Sequence, residues 1–235
     1  MREDEATPSD DRSFPEISPQ EFLASVRRAI GPPGAGQAPP HPERGPNSDE
    51  QRRRVEQIKE RTADQRPALT EQAARMASVM GWQVWRADGR EEARQLVLRL
   101  AADLGASHVA LSAHPLLEEL AIAGHLAQAG SMVTVAAGDN GARERLQQAL
   151  AAADLGITGA DYLLAETGST VLLPRRRISR LVHLLPAVHL AIAEASQIVA
   201  TLDDLLAIRT LAFLEDNEPF GHMAVISGPS RTADI

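Results

Sequence analysis

His108-Val109-Ala110-Leu111-Ser112 is a short run with an apolar centre; three residues later Pro115 opens a helical pattern lasting to Ala129, and Met132-Val133-Thr134-Val135-Ala136 is a second such run. Five residues with an apolar centre is strand length, and proline is well tolerated in the first turn of a helix. The alternation extends outward in both directions. Upstream, Glu91 to Leu104 reads as a helix, Trp82 to Trp85 as a short strand, and Asp49 to Met80 as a long polar helix interrupted or kinked near Pro67. Downstream, Ala142 to Ala152 reads as a helix and Leu155 to Thr158 as the approach to another strand. Strand, helix, strand, helix in that order predicts an α/β fold, a mainly parallel sheet with right-handed crossovers and helices on both faces. Apolar mass drawn from Ala, Leu, Val and Ile, with only 3% aromatic residues, suits strands covered on both sides.

Past Asp161 the pattern shortens. Tyr162 to Ala165, Thr170 to Leu173 and Leu181 to Leu185 are brief apolar runs between turn residues, which predicts a small antiparallel insertion or edge. Val188 to Ile192 then reads as a strand, Gln197 to Phe213 as a helix and Met223 to Ser227 as a last strand.

Ahead of the alternation, residues 1 to 50 hold nine of the fifteen prolines and an acidic excess, too little apolar surface to offset chain entropy. Residues 1–48 are expected to be a mostly disordered leader. One short helix is expected near 18–30, where Ser18-Pro19-Gln20-Glu21 has the form of a capping box and Phe22, Leu23, Val26 and Ile30 follow at helical spacing before Gly31-Pro32-Pro33. Residues 49–235 are then one α/β domain with a single sizeable core.

The 235 residues contain no cysteine, which excludes a disulfide framework, a zinc-thiolate site, a thiol nucleophile and a cysteine-ligated iron-sulfur cluster built by this chain. A formal net charge of -8 opposes a phosphate backbone, so nucleic acid is not an expected partner. Arg52-Arg53-Arg54 and Arg175-Arg176-Arg177 read as a solvated helix start and a solvated loop. No apolar stretch reaches the ~18 residues of a membrane span, and the acidic start Met1 to Glu5 does not resemble a secretory signal, so a cytoplasmic location is expected.

Three segments could carry chemistry. Gly159 to Thr170 places Asp161, Glu166, Thr167, Gly168 and Ser169 around strand ends, where open α/β sheets gather ligands, although a hairpin turn would use the same residues. Ser227 to Asp234 follows a strand with a glycine turn and hydroxyls, so Gly228, Ser230, Arg231 and Thr232 could hold a small carboxylate or phosphate. His183 and His189, six residues apart, match no common metal signature and read as structural or ligand-orienting histidines, His189 being kept as a binding candidate. No metal site is expected. His108, His114, His125 and His222 are scattered and receive no role.

Taken in order, Gly156-Ile157-Thr158, Ala165-Glu166-Thr167-Gly168-Ser169, Leu185-Pro186 with His189, and Gly228 to Ile235 resemble the LUD-domain family, in its lactate utilization protein C branch, over about residues 18–235. The resemblance implies the ribose-phosphate isomerase/CoA-transferase (NagB/RpiA/CoA transferase-like) fold. It also implies a non-redox subunit or accessory protein of L-lactate oxidation to pyruvate, with no cofactor in this chain and iron-sulfur clusters in cysteine-rich partner proteins. Two other readings follow from the same family: a CoA-transferase- or sugar-phosphate-isomerase-like enzyme using Glu166, or a metabolite sensor. In the CoA transferases the nucleophile is a glutamate in a glycine-rich context that the neighbours of Glu166 do not match, so Glu166 stands as a catalytic candidate only. The family pattern continues past Ile235 through an acidic residue and a His-Gly-Pro segment, which implies a domain lacking its usual C-terminal end.

Overall fold

The computed structural model describes residues 18–30, 47–137, 143–173, 180–216 and 222–229. The chain divides into two units, 1–45 and 46–235. In the first, α1 (Pro19–Ile30) begins with the expected capping box. Ser18 Oγ accepts the Glu21 N–H at 3.2 Å, and the Glu21 carboxylate accepts the Ser18 N–H at 3.0 Å. The disorder expected of the leader lies outside the described residues.

The second unit is built on two four-stranded sheets. The strands β1 (His108–Ser112), β2 (Met132–Ala136), β3 (Leu155–Gly159) and β6 (Val188–Ile192) form an all-parallel sheet in the order β2-β1-β3-β6. Alternate residues of β1 face opposite layers. Val109 and Leu111 pack with α4 (Arg90–Asp103), α5 (Pro115–Glu119) and α6 (Ile122–Gln128), whereas Ala110 packs with Leu150 of α7 (Arg143–Ala151) and with Val182. Every residue of β1 and β3 is buried, as expected of central parallel strands covered on both faces, and their polar residues His108, Ser112 and Thr158 are buried too.

The second sheet, β7-β4-β5-β8, supplies the expected antiparallel element. A hairpin of β4 (Tyr162–Leu164) and β5 (Ser169–Leu172) is flanked by β7 (Ile198–Val199) and β8 (Ala224–Ile226). Leu163 packs toward α3 (Arg66–Val79), while Leu164 packs against Leu205 of α8 (Leu202–Asp216). Helix α2 (Ser48–Asp64) lies on α8 through Val55, Ile58, Ala207 and Leu211. Its Arg52 and Arg54 are exposed and reach Glu215 and Asp203 of α8, exposed pairs that add little stability.

The interruption expected near Pro67 separates α2 from α3, with Pro67 in the first turn of α3. Four sequence expectations need correction. The helix expected over 115–129 breaks at Ala121, which sits at φ +50°, and the Leu120 carbonyl beside the break accepts a hydrogen bond from Arg94 Nε at 3.0 Å. Trp82 to Trp85 joins no ladder, and the Trp82 ring instead lies edge-on against His189. Leu181 to Leu185 is no strand: Arg180–His183 is a 3₁₀ turn that buries Val182, while Ile198 and Val199 form β7, delaying α8 to Leu202.

Candidate functional site

β1 leads through α5 and α6 to its neighbour β2 on one side, while β3, its neighbour on the other side, is reached through α7 on the opposite face. The chain therefore leaves the carboxyl ends of β1 and β3 in different directions. Loops diverge at such a switch point and leave a crevice where α/β proteins place ligands. A cavity of about 20 Å³ opens there, lined by Ser112 and His114 from the end of β1, Thr158 and Gly159 from β3, and Asp161 just beyond. Leu172 and Leu173 from the end of β5 and Arg180 and His183 from the 3₁₀ turn complete it. Free volume of that size admits about one water or one small functional group.

Local sequence fixes each side chain. His114 is the N-cap of α5, and its Nδ1 accepts the Leu116 N–H at 3.2 Å. The neutral ring must then carry its proton on Nε2, 3.5 Å from Asp161 Oδ1. The two side chains are only 7% and 5% exposed, yet Nε2 has no hydrogen bond, so the contact is electrostatic. The other Asp161 oxygen, Oδ2, accepts the Leu173 N–H at 2.6 Å, which ties the start of β4 to the end of β5. Gly159 makes this packing possible. A Cβ there would lie 2.2 Å from His114 Nδ1, so only glycine lets the imidazole rest on the β3 backbone.

Six buried side-chain polar atoms among the described residues have no hydrogen-bond partner, and three of them, Ser112 Oγ, His114 Nε2 and His183 Nδ1, belong to residues lining this cavity. Each such atom costs roughly 1–3 kcal/mol in the absence of a partner, so their convergence from separate elements marks a place prepared for a polar guest. Behind the cavity, Thr158 Oγ1 bonds His189 Nε2 at 2.8 Å. Burial, and next the neighbouring His183, push the His189 imidazole down to about 4; burial and then Arg180 lower His183. Both rings are neutral near pH 7, and His189 holds the Thr158 hydroxyl as an uncharged partner.

The residues singled out in the sequence are dispersed. His189 lies behind the cavity and His183 in its wall. Glu166, Thr167, Gly168 and Ser169 sit at the opposite end of the β4–β5 hairpin from Asp161. There the Glu166 carboxylate accepts the Leu202 N–H at 2.6 Å and so holds the first turn of α8. Thr167 Oγ1, Ser169 Oγ and Ser227 Oγ form a chain of 2.7 Å hydrogen bonds. Gly168 adopts φ +66° with its α-carbon pressed on α3, where a Cβ would meet Ala77 N at 2.1 Å. Gly228 packs against the Met80 carbonyl, and Ser230, Arg231 and Thr232 lie outside the described residues, as does Arg175-Arg176-Arg177. Sequence reasoning gave His114 and Ser112 no role. Their signal was positional: polar residues at the end of a buried strand, immediately before a helix led by proline.

The sequence matches the LUD domain over residues 70–235, which includes every residue of the cavity. The chain belongs to the LUD-domain family. Over 92 residues this LUD-domain protein is 39% identical to Lactate utilization protein C of Halalkalibacterium halodurans, covering 39% of this chain and 40% of that protein. A stretch of 64 residues is 39% identical to Lactate utilization protein B of Shouchella clausii, covering 27% of this chain and 14% of that protein. Uncharacterized protein YkgG of Escherichia coli is 34% identical over 145 residues, 61% of each chain. The LUD-domain chain thus spans about two fifths of the length of the Halalkalibacterium protein and less of the Shouchella one. A crystal structure of a DUF162 family protein from Deinococcus radiodurans superimposes with a TM-score of 0.33 at 24% identity, covering 60% of this chain and 90% of that one. Among the described residues, no helix is long and apolar enough to cross a membrane, and no group of three or more His, Asp or Glu is placed to hold a metal ion.

Proposed function

We propose that this LUD-domain chain is a non-redox component of L-lactate utilization that handles a small metabolite in the β1–β3 cleft, with the electron-carrying iron-sulfur centres in cytoplasmic partner proteins. The observation that carries the reading is the convergence of Ser112, His114 and His183, with unpartnered buried polar atoms, on a switch-point cavity beside Asp161. Similarity to proteins named Lactate utilization protein C and B supports the metabolic role. The lack of cysteine in all 235 residues supports a division of labour, because a cluster needs thiolate ligands that this chain does not have.

Within the cleft the chain's own residues bind and orient. His114 presents an N–H donor, Asp161 an acceptor, and the Ser112 hydroxyl either, while Leu172 and Leu173 limit water on the β5 side. We assign Glu166 a structural task, since its carboxylate is engaged at the start of α8. Deleting the gene should abolish growth on L-lactate as sole carbon source, and supplying the wild-type chain should restore it. The purified chain alone should pass no electrons from L-lactate to an artificial acceptor. Undiminished growth of the deletion strain with no related copy in the genome, or acceptor reduction by the chain alone, would contradict the reading.

A further inference from the structure

We propose that β2 is a self-association edge, at which two copies of this chain pair their β2 strands antiparallel about a two-fold axis and join their parallel sheets into one. β2 stands at the end of its sheet, paired with β1 alone. Met132 donates its N–H to the Ser107 carbonyl at 2.7 Å, on the β1 side. The two-residue period of a strand then aims the backbone of Thr134 and Ala136 at β1 as well, and turns that of Ser131, Val133 and Val135 outward. Two of these outward groups are occupied: the Ser131 N–H bonds the Leu126 carbonyl at 3.0 Å, and the Val135 carbonyl accepts the Ala137 N–H at 2.9 Å. The Ser131 carbonyl, both groups of Val133 and the Val135 N–H meet no partner among the described residues.

That pattern of open and occupied groups is its own complement. With the axis at Val133, the two Val133 residues exchange N–H and carbonyl, and each Val135 N–H reaches the Ser131 carbonyl of the other copy. The groups this register would leave without a partner, the Ser131 N–H and the Val135 carbonyl, are the two already satisfied. Natural edges are commonly blocked by shortness, charge, proline or a covering group. β7 and β8, at the ends of the second sheet, are two and three residues long, and at β6 the Trp82 ring packs against His189. The five residues of β2 include no charge and no proline, and Met132 and Val135 are 60% and 48% exposed. Copies with a formal net charge of -8 repel each other where charged surfaces meet, so an uncharged edge is where a second copy approaches at least cost. Because β2 pairs with itself, the assembly closes at two copies. The carboxyl ends of the joined sheets face opposite ways, leaving each β1–β3 cleft open on its own side.

Sedimentation of the full chain over roughly 1–100 μM should show a monomer–dimer equilibrium, and added salt should strengthen it by screening the like net charges. Hydrogen exchange locates the contact. The Val133 and Val135 amides should gain about tenfold or more protection as protein concentration rises, while the Met132 amide, already bonded to Ser107, should not change. Val135→Lys, at an exposed position, should weaken association about tenfold or more and leave the fold intact. Val133→Pro, which removes an outward donor and adds no charge, should act in the same direction. A chain that stays monomeric at about 100 μM would overturn the proposal, as would growth into open polymers. So would a dimer whose Val133 and Val135 amides exchange as in the monomer, or a folded Val135→Lys protein that associates as tightly as wild type.

Discussion

At the turn of the β4–β5 hairpin, Thr167, Ser169 and Ser227 bond one another and Glu166 holds the start of α8, whereas at the open end Asp161 faces His114 beside unpartnered atoms of Ser112 and His183. Both ends offer a carboxylate and hydroxyls near strand termini, and from residue types alone the turn is the richer of the two. The difference lies in what the fold uses up. At the turn these polar groups are spent on hairpin and helix; at the open end, three residues keep a buried polar atom without a partner. A binding site is better recognised by polar atoms left over than by polar atoms present.

The largest expected effect tests the structural character of the turn. Gly168→Ala places a Cβ against the α3 backbone at positive φ and should cost about 3 kcal/mol or more in chemical denaturation. A loss under about 1 kcal/mol would mean that the turn does not depend on this close approach.

The cleft end should respond to acid. His189 stays neutral in the fold down to about 4, while in the unfolded chain it protonates below its ordinary value of 6.5. Between those values the unfolded state binds more protons, so this group's contribution is complete above pH 6.5 and is lost as pH falls toward 4. The loss should be on the order of 3 kcal/mol, and His189→Gln should remove it from the wild-type pH profile. Identical profiles for the two proteins between pH 6.5 and 4 would show that the ring is not desolvated.

Smaller effects separate the two ends directly. Glu166→Gln should destabilise by about 1 kcal/mol through the start of α8, with no change in ligand affinity. Ser169→Ala should cost about 1 kcal/mol by breaking the hydroxyl chain, whereas Ser112→Ala, which removes a hydroxyl with no partner, should be neutral or slightly stabilising. Equal losses at Ser112 and Ser169 would erase the distinction between the ends.

Much of the framework is legible in the sequence. β1, β2 and β6 match their short runs because each is five residues long and centred on apolar side chains between turns or helices, and the capping box places α1. What escapes depends on partners distant in sequence. The carbonyl beside the break at Ala121 is met by Arg94, 26 residues before Leu120, and Glu166 is occupied by Leu202, 36 residues later. His114 looks isolated along the chain because Asp161 joins it only once β3 lies beside β1.

The most direct measurement is growth on L-lactate of a strain lacking the chromosomal gene and supplied with wild type, Ser112→Ala, His114→Asn or Glu166→Gln, with the level of folded protein measured in each. Wild type and Glu166→Gln are expected to restore growth, while Ser112→Ala and His114→Asn, present at comparable levels, are expected to restore it poorly or not at all. Full growth with both cleft variants and failure with a well-folded Glu166→Gln would place the functional site at the hairpin turn and contradict the assignment to the cleft.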